Sequence, residues 1–373
     1  MPKRILFFIS EDWVFVSHRL HLAKYAIANQ HKVTLACNVS TFDEVIEREG
    51  IELKDWKMNR GSKNPITFVY NILKTRQIIR ECEPDILIAV ALKPIILTGF
   101  AKILLKSEKC FLCVTGLGSV FTADGIFSHM LKVFVRLVLT LILRQKTNNL
   151  VVQNSDDEAF FCVDLKIPKR KTHLIRGAGV DIEQFFPVAE HNTLPIVSLP
   201  ARALRDKGVV EFVKVGQIIN DRNKRAIFRL IGAPDSSNPN TISRSQLEQW
   251  HQQGVIDWVG HQPDMVSALQ ASHIVCFPSY REGLPKALLE ACACGKPIVA
   301  FDVPGVREIV QDQVNGCLAP FGDIAKMAQY VERLILDKPL RTQFGEAGRA
   351  MVEGEFSQAS VQAQFGALWS EEK

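Results

Sequence analysis

HIVCFPSYREGLPKALLEACACGKPIVAFD, residues 273–302, opens on an apolar run, turns at Gly-Leu-Pro into a helical stretch, and closes on a second apolar run. Two short continuous apolar segments flanking a helix read as parallel strands joined by a crossover, each buried on both faces. The same pattern repeats outward in both directions. Toward the N-terminus the strand candidates are RILFFIS (4–10), KVTLACN (32–38), IELKDW (51–56), DILIAV (85–90), CFLCVT (110–115), NLVVQN (149–154) and THLIR (172–176). Helical stretches separate them, the first predicted from Ser17 to Gln30. At 177–195 glycines, two prolines and scattered charge interrupt the alternation. It restarts with PIVSLPA (195–201), AIFRLIG (226–232), VIDWVG (255–260), the two runs of the opening stretch, and GCLAP (316–320). Helical pattern dominates from Asp323 onward. The expected fold class is α/β, with two doubly wound parallel-sheet domains in tandem. Their expected bounds are 1–180 and 195–373, with a connector at 181–194 and a last helix that packs back on the first domain. In such sheets ligands lie beyond the carboxyl ends of the strands.

Composition agrees with this organisation. A chain of 373 residues exceeds one ordinary core, and 47% hydrophobic with 23% charged residues suits a soluble α/β protein. MPKRILFFISEDWVF has a short apolar stretch followed by acids and no small-residue cleavage site, so it does not read as a secretory leader. Nine irregularly spaced cysteines fit a reduced, cytoplasmic protein. Cys110–Cys113 and Cys292–Cys294 have no second ligand cluster nearby and read as packing rather than metal or redox pairs. Net charge is +5 but uneven: residues 1–180 hold 26 Lys and Arg against 17 Asp and Glu, a net of +9, and the remainder is −4. The basic half is expected to meet something anionic, nucleic acid or a membrane surface.

The stretch SHMLKVFVRLVLTLILRQK (128–146) is almost wholly apolar. Its polar residues Ser128, His129, Lys132, Arg136, Thr140 and Arg144 span about 160° of a helix circumference, a single stripe. Lys132 and Arg136 argue against a membrane span. Two readings remain: a core helix with one wet face, or a helix over 126–146 lying on anionic lipid.

Chemistry centres on Glu282 and Glu290, which flank the start of a helix. Pro285 suits its first position, leaving the N–H groups of Gly283 and Leu284 at a helix N-terminus, where anions are favoured. Glycine at 283 lets an anion approach the backbone closely. Glu290 falls roughly 7–8 Å further along the axis. Carboxylates accept hydrogen bonds from sugar hydroxyls, so a sugar–diphosphate–ribose ligand suits the spacing, with Glu282 toward the sugar and Glu290 toward the ribose. PARALRDKGVVEF (200–212) brings Arg202 and Lys207 to the carboxyl end of the first strand of the same sheet, two cations matched to a diphosphate.

GAGVDIEQFFP, ARALRDKGVVEF and PSYREGLPKALLEACACGKPIVAFDVPGVREIVQDQVNGCLAP resemble the retaining glycosyltransferases of family 4, which have the two-domain GT-B fold. The likeness implies two Rossmann-like domains facing across a cleft, a C-terminal one that binds a nucleotide sugar and an N-terminal one that binds the acceptor. It assigns the diphosphate to Arg202 and Lys207, backbone contacts to Gly283 and Leu284, the ribose to Glu290 and the donor sugar to Glu282. The loop 259–264 would lie beside the base, with His261 a contact. SEDWVFVSHR, RGSKNP, ALKP and TGLGSVFT look like bacterial enzymes that extend sugars on undecaprenyl diphosphate for O-antigen, capsule or glycoprotein glycans. That likeness implies a UDP-sugar donor, a lipid-linked acceptor and a peripheral position on the cytoplasmic face of the inner membrane. His18, at the start of the first predicted helix, is then a candidate beside the reacting sugar. Arg19, Lys93 and Thr115 are acceptor candidates. The first strand lacks the Gly-Gly turn common in the family. No Asp-x-Asp occurs, so no metal or other cofactor is expected. A nucleotide-sugar 2-epimerase of the same architecture and a non-catalytic glycan-binding protein are the rivals. Motifs for RNA recognition and aromatic stacking runs are absent, which argues against nucleic acid.

Overall fold

The computed structural model describes residues 1–58, 64–103, 105, 109–116, 126–190, 194–222, 226–236 and 238–370, with backbone alone for 126–131. Motif residues 60–63 and 117–122, and the side chains of Ser128 and His129, lie outside the described residues.

Seven strands form the first sheet: β1 Arg4–Glu11, β2 Lys32–Asn38, β3 Glu52–Asp55, β4 Ile86–Val90, β5 Lys109–Val114, β6 Asn148–Val152 and β7 Thr172–Leu174. All pair in parallel, in the order β3-β2-β1-β4-β5-β6-β7. The second sheet holds β8 Ile196–Pro200, β9 Ile227–Ile231, β10 Asp257–Gly260, β11 Ile274–Phe277, β12 Ile298–Phe301 and β13 Gly316–Ala319. It too is parallel, ordered β10-β9-β8-β11-β12-β13. Every strand read from the sequence is present, so both domains are doubly wound.

Both faces of each sheet are covered, which explains the unbroken apolar runs. Along β1, Leu6 and Phe8 enter a core on one face while Ile5, Phe7 and Ile9 enter a core on the other. The period-2 alternation of strand side chains divides one run between two cores. The second unit has a contiguous core built on β8, β11, β12 and the helices around them.

The chain divides into two compact units, Met1–Ala178 joined by the segment from Val361 onward, and Gly179–Ser360. Residues read as a connector contribute to the second unit: Phe185 is buried in its core, and Glu190 receives Arg341 at Nη2 and Nε. The helix Gln358–Ser370 places Val361, Phe365, Leu368 and Trp369 in the first unit's core, beside Tyr25. Among the described residues, no helix is long and apolar enough to cross a membrane.

In each sheet the strand order reverses once, between β1 and β4 and between β8 and β11. These switch points open a crevice at the carboxyl ends of the strands.

Candidate active site

In the second unit, the loops that leave β8 and β11 stand on either side of the switch point. β8 is followed by the short turn Arg205–Lys207, and Gly208 (φ +75°) starts the helix Val209–Asp221. A Cβ on Gly208 would lie 2.0 Å from the carbonyl oxygen of Pro278, so only glycine lets the two loops come this close. Tyr280 N–H donates to the carbonyl of Asp206 at 3.0 Å, tying the loops by backbone.

That approach delivers Lys207 to Glu282. Lys207 Nζ donates to Glu282 Oε1 at 2.7 Å and Oε2 at 2.8 Å, and the Ser279 hydroxyl donates to Oε1 at 2.7 Å. Glu282 is only 10% exposed at its side chain, so the ammonium is what keeps a carboxylate tolerable there. An ammonium has three N–H donors and Glu282 takes two, which leaves one for a second anion. Glu282 N–H donates to Pro304, and a Cβ on Gly305 (φ +79°) would sit 2.5 Å from the Glu282 and Gly283 carbonyls. The 282–284 turn therefore rests on the β12 loop. Pro285 is the N-cap of the helix Lys286–Ala293 rather than its first residue, and the turn meets that helix at its positive end.

Glu290 is buried within this helix and pairs with Lys286 Nζ at 3.0 Å. Burial pushes its carboxyl above the ordinary value, with Lys286 opposing. Arg202 is half exposed and donates from Nη1 to Asp235 Oδ2 at 2.7 Å. It shares the carboxyl end of the sheet with Lys207, but its partner is the loop after β9. His261, after β10, is exposed. Lys207, Ser279 and Glu282 are thus brought together with the 282–284 turn, whereas Arg202 and His261 stand on neighbouring loops. Ser279 escaped the sequence reading, although its i,i+3 spacing to Glu282 was visible. Tyr280 also escaped it. Its hydroxyl donates to Glu211 at 3.0 Å, and burial together with that carboxylate pushes it up to about 12. Among the described residues no group of three or more His, Cys, Asp or Glu is placed to hold a metal ion.

In the first unit the candidates gather at the other switch point. The first helix departs from the prediction: it runs Asp12–His18, breaks at Arg19, and resumes as Leu20–Ala28. His18 therefore ends a helix instead of starting one. The helix starts earlier than expected, at Asp12, whose buried carboxylate accepts from the N–H groups of Trp13, Ser40, Thr41 and Phe42 and from the Ser40 hydroxyl. Burial works against its ionisation, but these bonds prevail and hold the carboxyl down at about 2. Arg19 is buried, donates from Nη1 to the His18 carbonyl at 3.1 Å, and has an Nε with no hydrogen-bond partner among the described residues. Burial lowers its pKa, and Cys113 partly offsets this. Lys93 lies in the first turn of the helix Leu92–Ala101 after β4, half-buried, with its pKa lowered by burial. Thr115 is exposed just past β5.

A model of glycosyl transferases group 1 matches residues 181–351, and one of glycosyl transferase 4-like proteins matches residues 4–154. The chain is 26% identical over 352 residues to the N,N'-diacetylbacillosaminyl-diphospho-undecaprenol alpha-1,3-N-acetylgalactosaminyltransferase of Campylobacter jejuni, covering 90% of each. Among solved structures, Anabaena HepE in complex with UDP and glucose is similar with a TM-score of 0.79 at 16% identity, covering 99% of this chain and 100% of that one. Sucrose-phosphate synthase from Thermosynechococcus elongatus is similar with a TM-score of 0.83 at 19% identity, covering 99% and 98%. Both halves are matched in chain order and the fold is shared along the whole length: the chain belongs to the family 4 glycosyltransferases of the GT-B fold.

Proposed function

We propose that this glycosyltransferase moves a sugar, a hexose or N-acetylhexosamine, from a UDP-sugar to a hydroxyl of a glycan carried on undecaprenyl diphosphate. The product would serve O-antigen, capsule or glycoprotein glycan assembly. The observation that carries the donor reading is the Lys207–Glu282 pair beside the amide-rich 282–284 turn, at the switch point of the second sheet. Lys207, with Arg202 swung from Asp235 and the N–H groups of Gly283 and Leu284, would take the diphosphate. Glu282 would face the sugar, Glu290 the ribose and His261 the base. The Campylobacter relative acts, by its name, on a diphospho-undecaprenol-linked sugar, which supports a lipid-linked acceptor here. Arg19 and Lys93 would meet the acceptor's diphosphate, and His18 and Thr115 its sugar. Such an acceptor stays in the bilayer, so the enzyme would work as a peripheral protein on the cytoplasmic face of the inner membrane.

In this reaction the bond from the anomeric carbon to the diphosphate breaks, and the acceptor oxygen bonds to that carbon on the same face, retaining its configuration. Negative charge grows on the leaving diphosphate, where Lys207, Arg202 and the helix N-terminus lower its energy. The acceptor proton passes to a diphosphate oxygen. This scheme needs no metal, so EDTA should leave turnover unchanged; loss restored by Mg²⁺ or Mn²⁺ would refute it. Arg202→Ala should reduce kcat/KM by about 2–4 kcal/mol of transition-state binding without lowering the melting temperature, since the side chain is half exposed. Incubation with a panel of UDP-sugars and a short-chain lipid-diphosphate-sugar tests the whole reading. An extended lipid-linked glycan is expected, while release of free sugar alone would mean an epimerase.

A further inference from the structure

On one face of the first sheet three helices lie side by side. Pro65–Cys82 packs against Leu92–Ala101, which packs in turn against Ile126–Arg144. Their inward residues, among them Ile78, Ile79, Ile95, Leu97, Leu139 and Ile142, build the core beneath. A Cβ on Gly99 would lie 2.6 Å from Ile142, so the second and third helices touch closely.

The outward side of this layer is apolar as well. Ile66, Val69, Tyr70 and Leu73 are 55–78% exposed, and Val133, Phe134, Leu137 and Leu141 are 44–67% exposed. Spacings of three and four residues make each set one stripe along its helix. With Ile103, just past the middle helix, nine of the twenty large hydrophobic residues exposed among the described residues belong to this layer. Single exposed apolar residues are ordinary, but two such stripes on helices that share a neighbour are a patch that calls for an occupant. Of the polar stripe read from the sequence, Lys132, Arg136 and Thr140 are half-buried, with Arg136 over the Phe160 ring at 5.1 Å, and Arg144 is exposed. The most exposed face of this helix is therefore apolar rather than the polar stripe.

Charge selects the occupant. The three helices carry Lys74, Arg76, Arg80, Lys93, Lys132, Arg136 and Arg144 against Glu81 alone, a net of +6, compared with +5 for the entire chain. Two copies meeting through such a face would set cation against cation. A bilayer with anionic headgroups answers both features, because apolar side chains enter the acyl boundary while the cations meet phosphates.

We propose that Pro65–Cys82 and Ile126–Arg144 together form the surface by which this protein docks on an anionic phospholipid bilayer. This rests on the peripheral-membrane reading above, but it does not depend on the sugar chemistry. Flotation of the full chain with vesicles tests it, using an equimolar mix of phosphatidylglycerol and phosphatidylcholine beside phosphatidylcholine alone. Two double variants, Tyr70→Ser with Leu73→Ser and Phe134→Ser with Leu137→Ser, alter exposed positions, and circular dichroism checks that they fold. The protein should float with the mixed vesicles and far less with neutral ones, and each double variant should bind at least about tenfold more weakly. Wild-type protein that fails to float would overturn the proposal. So would a Tyr70/Leu73 variant that binds like wild type, or a dimer in light scattering that the variants dissolve in place of vesicle binding. Sugar transfer to a water-soluble acceptor analogue should be unchanged in both variants. Failure of that transfer in the wild type counts against the proposed reaction and leaves the flotation result standing.

Discussion

At Glu282 one carboxylate answers Lys207 through both oxygens and Ser279 through one. Lys207→Ala would leave that carboxylate nearly buried, held by the Ser279 hydroxyl without its cation, and would remove a cation from the diphosphate. A fall in kcat/KM of about 2–4 kcal/mol is expected in steady-state assays. Ser279→Ala deletes a single bond to a charged group and should cost less, about 1.5–3 kcal/mol at most. A double-mutant cycle on Lys207 and Glu282 should give a coupling above about 0.5 kcal/mol, and simple additivity would break the pair's assignment. Glu290 behaves differently. Its pKa is raised in the folded state, so the native protein holds this proton to higher pH than the unfolded chain does. Its contribution to stability is complete below the ordinary carboxylate range and is lost as pH rises through the raised value. Glu290→Gln should therefore melt higher than wild type at about pH 8 and like it at about pH 4, while binding donor more weakly. An equal offset at both values would contradict this account.

Among the elements, the turn 205–208 decides whether the two loops of the donor site meet. Gly208→Ala would place a methyl group against the Pro278 carbonyl in a backbone region that L residues avoid. It should lower both the melting temperature and kcat/KM, which separates it from Arg202→Ala. Ala91 provides a contrast at the other switch point. It holds φ +75° and ψ 158° without being glycine, at a cost of about 1–3 kcal/mol. Ala91→Gly should raise the melting temperature, as seen in thermal unfolding by circular dichroism. The strands were legible because burial on both faces writes itself into the chain as short apolar runs. The early start of the first helix at Asp12 was not, because Asp12 is captured by residues 40–42, a contact that local pattern does not contain. The partners of Arg202 and Lys207 lie 33 and 75 residues away, so their types could be read but not their pairings. The polar stripe on Ile126–Arg144 was visible, yet which face turns outward depended on its neighbour Leu92–Ala101.

Over the whole molecule, the first unit depends on residues from the far end of the chain. Val361, Phe365, Leu368 and Trp369 complete one of its cores, and Lys3 Nζ donates to the Trp369 carbonyl. Burying four such side chains is worth about 6–12 kcal/mol, comparable to the stability of a whole domain. Removing 358–370 should therefore unfold the first unit while the Gly179–Ser360 unit keeps its own core. Limited proteolysis with mass spectrometry would reveal a surviving fragment of the second unit alone. On the ribosome the same connectivity sets an order of events. Nascent residues 1–178 leave the tunnel with one apolar face of their sheet still lacking its last helix, and translation of Gly179–Ser360 adds a delay of roughly 10–40 s before that helix arrives. A chaperone that shields exposed apolar surface has its use in that interval, and the unit made first becomes the one finished last.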